Sequence, residues 1–186
     1  MTEPVRIKRD RSLLLVVDIQ ARLAPAVMHH AQVIARVKAL IQVAGLLDIP
    51  VYATEHCPDR IGPLVPELRD LIADAQILKK VQFCCTDEAA IRQRLTASSR
   101  TQILVTGMEA HVCALQSALG LQECGFHPYF VGDAVGSRHV EDHAAALNRL
   151  RDEGVRVVTT EMVIFEWLER ADAPAFRAAL GIIKSL

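Results

Sequence analysis

The stretch TQILVTGMEAHVCALQ, residues 101–116, decides the fold that this chain is expected to adopt. It begins with a near-continuous apolar run, TQILVTG, which is typical of a strand buried on both faces. Gly107 ends the run, and an amphipathic segment that we predict to be helical starts near His111. Between them stands Cys113, which is either a small core residue or a nucleophile near the start of a helix.

The same alternation of buried strand and amphipathic helix recurs along the chain. Apolar runs predict further strands at residues 12–18, 49–55, 127–134 and 155–160, and a weaker one at 75–80. Amphipathic segments predict helices near residues 30–47, 87–97, 111–124, 140–153, 161–171 and 174–184, with Gly125 and Gly154 as C-terminal caps of two of them. This order is typical of an α/β fold, and we predict a three-layer α/β/α sandwich with a central, mainly parallel sheet.

The length and composition of the chain limit the number of domains, the kinds of partner and the cellular location that we expect. The 186 residues fit a single domain over residues 1–186, with no internal repeat. The net charge is −1 and the basic residues are scattered, which argues against nucleic acid and anionic membranes as partners. No apolar run is long enough to span a bilayer. Five cysteines without CxxC spacing indicate a cytoplasmic, reducing location rather than a disulfide framework.

Polar side chains that follow the predicted strands point to one edge of the sheet. Ligands of open α/β sheets bind at the carboxyl ends of the strands, where Asp18, His56, Lys80 and Cys113 are expected. A helix N-terminus would favour the thiolate of Cys113 and supply free main-chain N–H groups. Asp18 either caps a turn or acts as a general base with Lys80 nearby. From position alone, a carboxylate–lysine–cysteine site is one of several interpretations.

Three longer motifs carry a resemblance to a known family. LLLVVDIQARL (13–23), LKKVQFCC (78–85) and ILVTGMEAHVCALQSALGLQECGFHPYFVGDAVGSR (103–138) occur in the order and spacing of the isochorismatase-like cysteine hydrolase family. The chain is most similar to the isochorismatase domain-containing branch, whose substrates are largely unassigned. The likeness extends over residues 12–184 and implies the same three-layer fold.

The resemblance implies a role for individual residues. Asp18, Lys80 and Cys113 match the family's catalytic Asp–Lys–Cys triad. Phe83 keeps the aromatic residue of the middle motif, whereas Cys84 stands where serine is usual. That departure leaves the implied chemistry intact because the serine is not the nucleophile.

The third motif of the family also carries a cis peptide bond, which here would join Met108 and Glu109. The main-chain N–H groups of Glu109 and Cys113 would then form the oxyanion hole. The implied enzyme is a cofactor-independent hydrolase, with no metal, acting on a small-molecule amide or related C–N bond through a thioester. We also expect a homo-oligomer, because the C-terminal helices carry Phe165, Trp167 and Phe176, although core packing explains these residues equally well.

Other residues leave alternatives open. Gln20, His56, Phe83 and His111 are candidates for the substrate pocket; Gln20 could equally close a turn, and His111 could orient a neighbour. A metal is not expected, since the D-x-H…H pattern of nicotinamidases is missing from the segment TEHCPDR (54–60). Ser137 or Glu141 is expected to cap the following helix.

Three other functions compete with amide hydrolysis. The same triad could cleave another bond type, or the domain could be catalytically silent and serve protein–protein interaction. A third alternative is redox sensing through Cys113 with Cys84 or Cys85 nearby.

Overall fold

The computed structural model describes residues 5–186, and a six-stranded sheet forms its centre. The strands are β1 (Ser12–Val17), β2 (Val51–His56), β3 (Ile77–Lys80), β4 (Gln102–Met108), β5 (His127–Gly136) and β6 (Arg156–Val158). Their order across the sheet is β3-β2-β1-β4-β5-β6, and each neighbouring pair is parallel.

Helices cover both faces of this sheet. Within residues 5–186 they are α1 (His30–Leu46), α2 (Pro58–Ile61), α3 (Pro66–Arg69), α4 (Ala89–Ala97), α5 (Leu115–Glu123), α6 (Val140–Asp152), α7 (Thr160–Leu168) and α8 (Phe176–Ile183). One hydrophobic core joins one face of the sheet to α1, α3, α7 and α8, and a second joins the other face to α4, α5 and α6. The predicted three-layer α/β/α sandwich is thereby confirmed.

The apolar runs correspond to strands because the central strands are covered on both faces. Each residue of β1 and β4 is buried, which leaves no position for the polar alternation of a half-exposed strand. The weaker run ends in β3, an edge strand that exposes Lys79 and buries Lys80. The apolar pattern of β3 is weaker than that of the central strands because β3 is the outermost strand of the sheet and is only partly buried.

Local features differ from the sequence prediction at two places. The segment CPDRIGPLVP (57–66), whose three prolines and one glycine predict a structured loop, contains the short helix α2 and the start of α3, each with proline at its beginning. The predicted helix from His111 starts instead with a π-helical turn, Ala110–Ala114, before the regular α5. The apolar periodicity is nearly the same for both forms, so it could not distinguish them. Gly125 and Gly154 follow helix ends with φ of +83° and +81°, as expected of C-terminal caps.

The C-terminal aromatic residues divide between core and surface. Trp167 is fully buried and its Nε1 donates to Ser12 Oγ at 2.9 Å, so core packing accounts for it. Phe165 is 43% exposed and lies against Phe176, with 6.5 Å between ring centroids. No helix within residues 5–186 combines the length and the apolar character that crossing a membrane requires. The prediction of one domain includes residues 1–4, which lie outside the described residues, and it remains a prediction.

Candidate active site

The candidate site lies where the strand order reverses, because β1 pairs with β2 on one side and with β4 on the other. Gly107 near the end of β4 has φ of +116°, and a Cβ at this position would lie 1.9 Å from the carbonyl oxygen of Val17. Only glycine permits this approach. The close contact draws the end of β4 and the turn after it towards Asp18, the first residue beyond β1.

Asp18 and Lys80 form a buried ion pair. Lys80 Nζ donates to Asp18 Oδ2 at 2.6 Å, and the two side chains are 0% and 1% exposed. Thr54 Oγ1 donates to the other carboxylate oxygen, Oδ1, at 2.6 Å. Both oxygens of Asp18 are therefore hydrogen-bonded, which offsets the cost of burying its charge.

Lys80 is held in place by main-chain acceptors as well as by Asp18. Its ammonium group donates to the carbonyl oxygens of Gln82 at 3.1 Å and Phe83 at 3.3 Å. An ammonium group has three hydrogens, so these two carbonyls and Asp18 use its full donor capacity. The loop that follows β3 thus folds back over the lysine, which keeps the charged group away from water.

Cys113 completes the cluster, since Asp18 and Lys80 both act on its thiol and shift the thiol's pKa in opposite directions. Burial, followed by the charge of Asp18, raises the pKa of the Cys113 thiol to about 12, and the Lys80 charge opposes this only in part. The sequence-based expectation of a thiolate favoured by a helix N-terminus is therefore wrong for the resting site. Cys113 lies within a single π-helical turn and is 6% exposed, so desolvation outweighs any helix dipole.

Glu109 connects this cluster to the next loop. The Met108–Glu109 peptide bond is cis, as the family resemblance implies. The Glu109 carboxylate oxygen Oε1 accepts hydrogen bonds from Arg138 Nε at 2.9 Å and from the Arg138 main-chain N–H at 3.2 Å. The Glu109 carbonyl accepts from the N–H groups of Val112 and Ala114. Hydrogen bonds thus hold both the side-chain carboxylate and the main-chain carbonyl of Glu109. The oxyanion-hole role of its N–H group stays a prediction.

Gln20 is fully buried and its amide is occupied by main-chain groups. Its Nε2 donates to the carbonyls of Gly62 at 2.6 Å and His56 at 3.0 Å, and its Oε1 accepts from the His56 N–H at 2.8 Å. Of the two roles considered for Gln20, the contacts correspond to closing the loop. Through them Gln20 fixes the end of β2.

His56 and Phe83 lie beside the cluster. Their rings stack with 5.2 Å between centroids and an interplanar angle of 25°. His56 pairs with Lys80 in the register of β2 and β3, and Phe83 is 51% exposed. Both candidate pocket residues are therefore next to the buried charges.

His111 contacts the start of the next helix. Its Nδ1 hydrogen-bonds with Ser137 Oγ at 2.9 Å, and its Nε2 lies 3.7 Å from Asp142 Oδ2. Ser137 is 3% exposed, and α6 begins after His139 without a side-chain cap, so the expected capping by Ser137 or Glu141 is wrong. The contacts favour an orienting role for His111.

Sequence reasoning missed Thr54, which supports Asp18, and it assigned Ser137 to helix capping rather than to its contact with His111. Thr54 could have been recognised as the lone threonine of β2. In the sheet it pairs with Val17, the residue before Asp18. Recognising it requires knowing that β1 and β2 are neighbours. Ser137 offers no such signal, because its partner lies 26 residues earlier in a different turn.

The other cysteines near the site are buried and free of disulfides. Cys84 Sγ lies 3.0 Å from Thr86 Oγ1, and the Cys85 N–H donates to Ser117 Oγ at 3.0 Å. Burial raises the pKa of the Cys85 thiol to about 12. This environment disfavours the reactive thiolate that a redox sensor needs.

Space around the cluster is restricted. A cavity of about 580 Å³ next to the ends of β2 and β3 includes Lys80 in its lining but neither Asp18 nor Cys113. Across residues 5–186, the acidic, histidine and cysteine side chains form no group of three or more suited to a metal ion. The expectation of a metal-free, cofactor-independent site stays a prediction.

Comparisons with known proteins identify the family. The isochorismatase domain model matches residues 12–162. Mouse isochorismatase domain-containing protein 2A is 33% identical over 181 residues, which cover 96% of this chain and 85% of the mouse protein.

Solved structures agree with this assignment. The MAR1 ribonuclease of Caenorhabditis elegans is 30% identical, with a TM-score of 0.90 and coverage of 97% of this chain and 93% of that one. YcaC from Escherichia coli, described as an octameric hydrolase of unknown specificity, shares the fold at 24% identity, with a TM-score of 0.87 and coverage of 100% and 90%. The buried cluster thus lies in an isochorismatase fold, and the chain belongs to the isochorismatase family.

Proposed function

We propose that this protein is a cysteine hydrolase of small amides or related C–N bonds, with Asp18, Lys80 and Cys113 as its catalytic triad. One observation carries the proposal: the buried thiol of Cys113 lies within the electrostatic influence of a buried ion pair between Asp18 and Lys80. A carboxylate, an ammonium and a thiol with so little access to water cost stability, and such arrangements are found mainly at functional sites.

The first chemical step uses the neutral thiol. With its pKa near 12, Cys113 holds its proton until a substrate carbonyl arrives. Asp18 then accepts that proton as the sulfur attacks the carbonyl carbon, and the C=O electron pair moves to the oxygen. The main-chain N–H groups of Glu109 and Cys113 would donate to the oxyanion.

The second half of the reaction returns the proton. The C–N bond breaks and Asp18 gives its proton to the leaving nitrogen, so that ammonia or an amine departs and a thioester remains on Cys113. Water attacks the thioester with Asp18 as the base, which releases a carboxylic acid and restores the thiol. Throughout, Lys80 balances the negative charge that alternates between Asp18 and the sulfur.

The closed environment favours a small substrate. Asp18, Lys80 and Cys113 are 1%, 3% and 6% exposed, which suits a compact amide better than a polymer. The related C. elegans protein is named a ribonuclease, so RNA belongs in the substrate screen. In this chain the near-neutral net charge of −1 does not favour a polyanionic substrate.

A screen that follows ammonia release tests the proposal. Primary amides, ureido acids and carbamoyl compounds are incubated with the wild type and with Cys113→Ala. RNA and isochorismate serve as substrates of other classes and, because their hydrolysis releases no ammonia, are followed by chromatography of the cleavage products. We expect turnover of at least one small amide by the wild type and none above background by Cys113→Ala. A thermal melt of the variant checks that it is folded. Absence of turnover across the amide set would favour the catalytically silent alternative, and turnover of RNA or isochorismate alone would favour another bond type.

We further propose that copies of the chain associate and that the enzyme works in the cytoplasm. YcaC, which shares this fold, is octameric. Five free cysteines are compatible with a reducing compartment. Light scattering after size exclusion tests the first point, since a mass of 20.5 kDa would indicate a monomer. Cell fractionation tests the second.

A further inference from the structure

The π-helical turn that carries Cys113, Ala110–Ala114, is here called the cysteine turn. In an α-helix the carbonyl of Glu109 would accept from the N–H of Cys113, four residues later. Within residues 5–186 this carbonyl instead accepts from the N–H groups of Val112 at 3.1 Å and Ala114 at 3.2 Å. It thus skips the N–H of Cys113, which lies between them.

The next hydrogen bond along the chain has the same register. The N–H of Leu115 donates to the carbonyl of Ala110, five residues earlier. Regular α-helix begins at Leu115, and α5 is packed into the core through Ala118 and Leu121. Single π-helical turns joined to α-helices are rare and occur frequently at functional sites. The cysteine turn is therefore out of register with the helix that follows it.

His111 connects the cysteine turn to the segment after β5. Its Nδ1 hydrogen-bonds with Ser137 Oγ at 2.9 Å. Ser137 is 3% exposed and its carbonyl accepts from the Met28 N–H at 3.0 Å, so the serine is itself held in place. The other contact of His111, 3.7 Å from Nε2 to Asp142 Oδ2, joins side chains that are 22% and 42% exposed, and such pairs contribute little. The bond to Ser137 is the contact that fixes His111.

This bond depends on the π-helical register. Successive residues of an α-helix are rotated by about 100° around its axis, because one turn holds 3.6 residues. If the cysteine turn changed to the α register while α5 stayed packed, the side chain of His111 would rotate away from Ser137 by a similar angle. The bond and the π-helical register consequently stabilise each other.

From these observations we infer that His111 is a positioning residue, whose bond to Ser137 holds the cysteine turn in the register that leaves the N–H of Cys113 to the oxyanion. In the α register the carbonyl of Glu109 would take up this N–H. The inference rests on the proposed hydrolysis, in which the Cys113 N–H is an oxyanion donor. His111 acts through the main chain and exchanges no proton with the substrate.

Two reactions of the Cys113 thiol distinguish this role from general support of the fold. With p-nitrophenyl acetate the thiol proton passes to Asp18, the sulfur adds to the carbonyl carbon, an oxyanion forms, and p-nitrophenolate leaves. With iodoacetamide the proton passes to Asp18 and the sulfur displaces iodide, so that no oxyanion forms. Only acylation needs the N–H of Cys113. Both products are quantified by mass spectrometry on the peptide that contains Cys113.

His111→Leu should affect the two reactions unequally. Acylation of Cys113 should slow about 100-fold, as expected for the loss of one oxyanion donor. Alkylation should change no more than about threefold, because Asp18 and Lys80 still set the reactivity of the thiol. With an amide substrate the variant should lower kcat and leave KM nearly unchanged.

Further variants assign the effect to one hydrogen bond. Ser137→Ala removes the partner and should slow acylation as much as His111→Leu does. The double variant should be no slower than either single variant, because both remove the same interaction. His111→Asn keeps a hydrogen-bonding group near the place of Nδ1 and should recover about tenfold of the lost rate. Asp142→Asn is the matched control and should acylate at the wild-type rate.

The possible failures are distinguishable. Thermal melts check that the variants are folded, and Ser137→Ala carries the test if His111→Leu does not fold. Losses that are the same in acylation and alkylation, an unchanged acylation rate, additive losses in the double variant, or a similar loss in Asp142→Asn would overturn the role of His111 even if the wild type hydrolyses amides. The expected pattern without amide turnover by the wild type would leave that role standing and refute the proposed hydrolysis. A wild-type Cys113 that p-nitrophenyl acetate does not acylate would refute both.

Discussion

The amino-terminal ends of the strands form one edge of the sheet, and their carboxyl-terminal ends form the opposite edge. Both edges bury polar side chains, but the chemistry of those side chains differs. At the amino-terminal edge, Ser12 and Gln102 are fully buried and neutral. Ser12 Oγ donates to the Lys8 carbonyl and accepts from Trp167, and the Gln102 amide bonds with the main chain of Arg6 and Lys8. These bonds fasten the N-terminal segment and α7 to the sheet.

The carboxyl-terminal edge instead buries charges and an ionisable thiol. Asp18 and Lys80 form an ion pair, both of them influence the buried thiol of Cys113, and His56 Nδ1 has no partner in the described chain. A fold that needed only stability would use neutral, fully paired groups, as the opposite edge does. The difference indicates which edge is built for chemistry, and the following variants test it.

Lys80→Met should have the largest effect. It leaves the carboxylate of Asp18 buried without its counter-charge, which costs about 3–5 kcal/mol of stability, and it should abolish turnover. Urea unfolding measures the loss. The control is the double variant Asp18→Asn with Lys80→Met, which removes both charges and should recover most of the stability but none of the activity. A single variant as stable as the wild type would contradict the buried ion pair.

Asp18→Asn should slow catalysis and speed up the alkylation of Cys113. Without its base the enzyme should lose about 10²–10⁴-fold in kcat/KM. The charge of Asp18 raises the pKa of Cys113 and that of Lys80 lowers it, so the pKa should fall below about 12 in the variant. Iodoacetamide should then alkylate Cys113 faster at pH 8. Alkylation is quantified on the peptide that contains Cys113, because Cys57 and Cys124 are more exposed free thiols. Slower alkylation of Cys113 in the variant would count against the proposed coupling.

Ser12→Ala tests the amino-terminal edge. The substitution leaves Trp167 Nε1 without its acceptor in the core, which should cost about 1–3 kcal/mol in the free energy of unfolding. Activity below the unfolding transition should match the wild type, because this edge holds no reacting group. A loss of kcat/KM in the folded variant would show that the two edges are not separate in function.

Alkaline pH should reveal the two buried thiols through a smaller effect. The pKa values of Cys85 and Cys113 rise from 9.0 to about 12 on folding. Above pH 9 the unfolded chain loses these protons while the folded protein retains them, so stability falls between about pH 9 and 12. Each thiol can contribute a slope of up to about 1.4 kcal/mol per pH unit. Denaturant titrations at pH 8 and 10 should show a smaller drop for Cys113→Ala than for the wild type.

Much of the site could be predicted from positions along the chain. Strands buried on both faces leave near-continuous apolar runs, and their carboxyl ends therefore marked Asp18, Lys80 and the turn before Cys113. Family motifs then connected these residues and anticipated the cis bond at Met108–Glu109. What a position cannot report is the contact made by the side chain. Gln20, a candidate for the pocket, proved to bond with the main chain of β2 and its following loop.

The sequence by itself thus determined the order of strands and helices and the edge of the sheet where the chemistry is proposed, because hydrophobic periodicity is a local property. Only the tertiary structure decided the electrostatics. Asp18 and Lys80 are 62 residues apart in the chain, and their pairing follows from the strand order β3-β2-β1-β4. The raised pKa of Cys113 and the unpaired nitrogen of His56 are likewise consequences of burial among distant segments. Desolvation depends on everything packed around a group, and no local stretch of sequence encodes it.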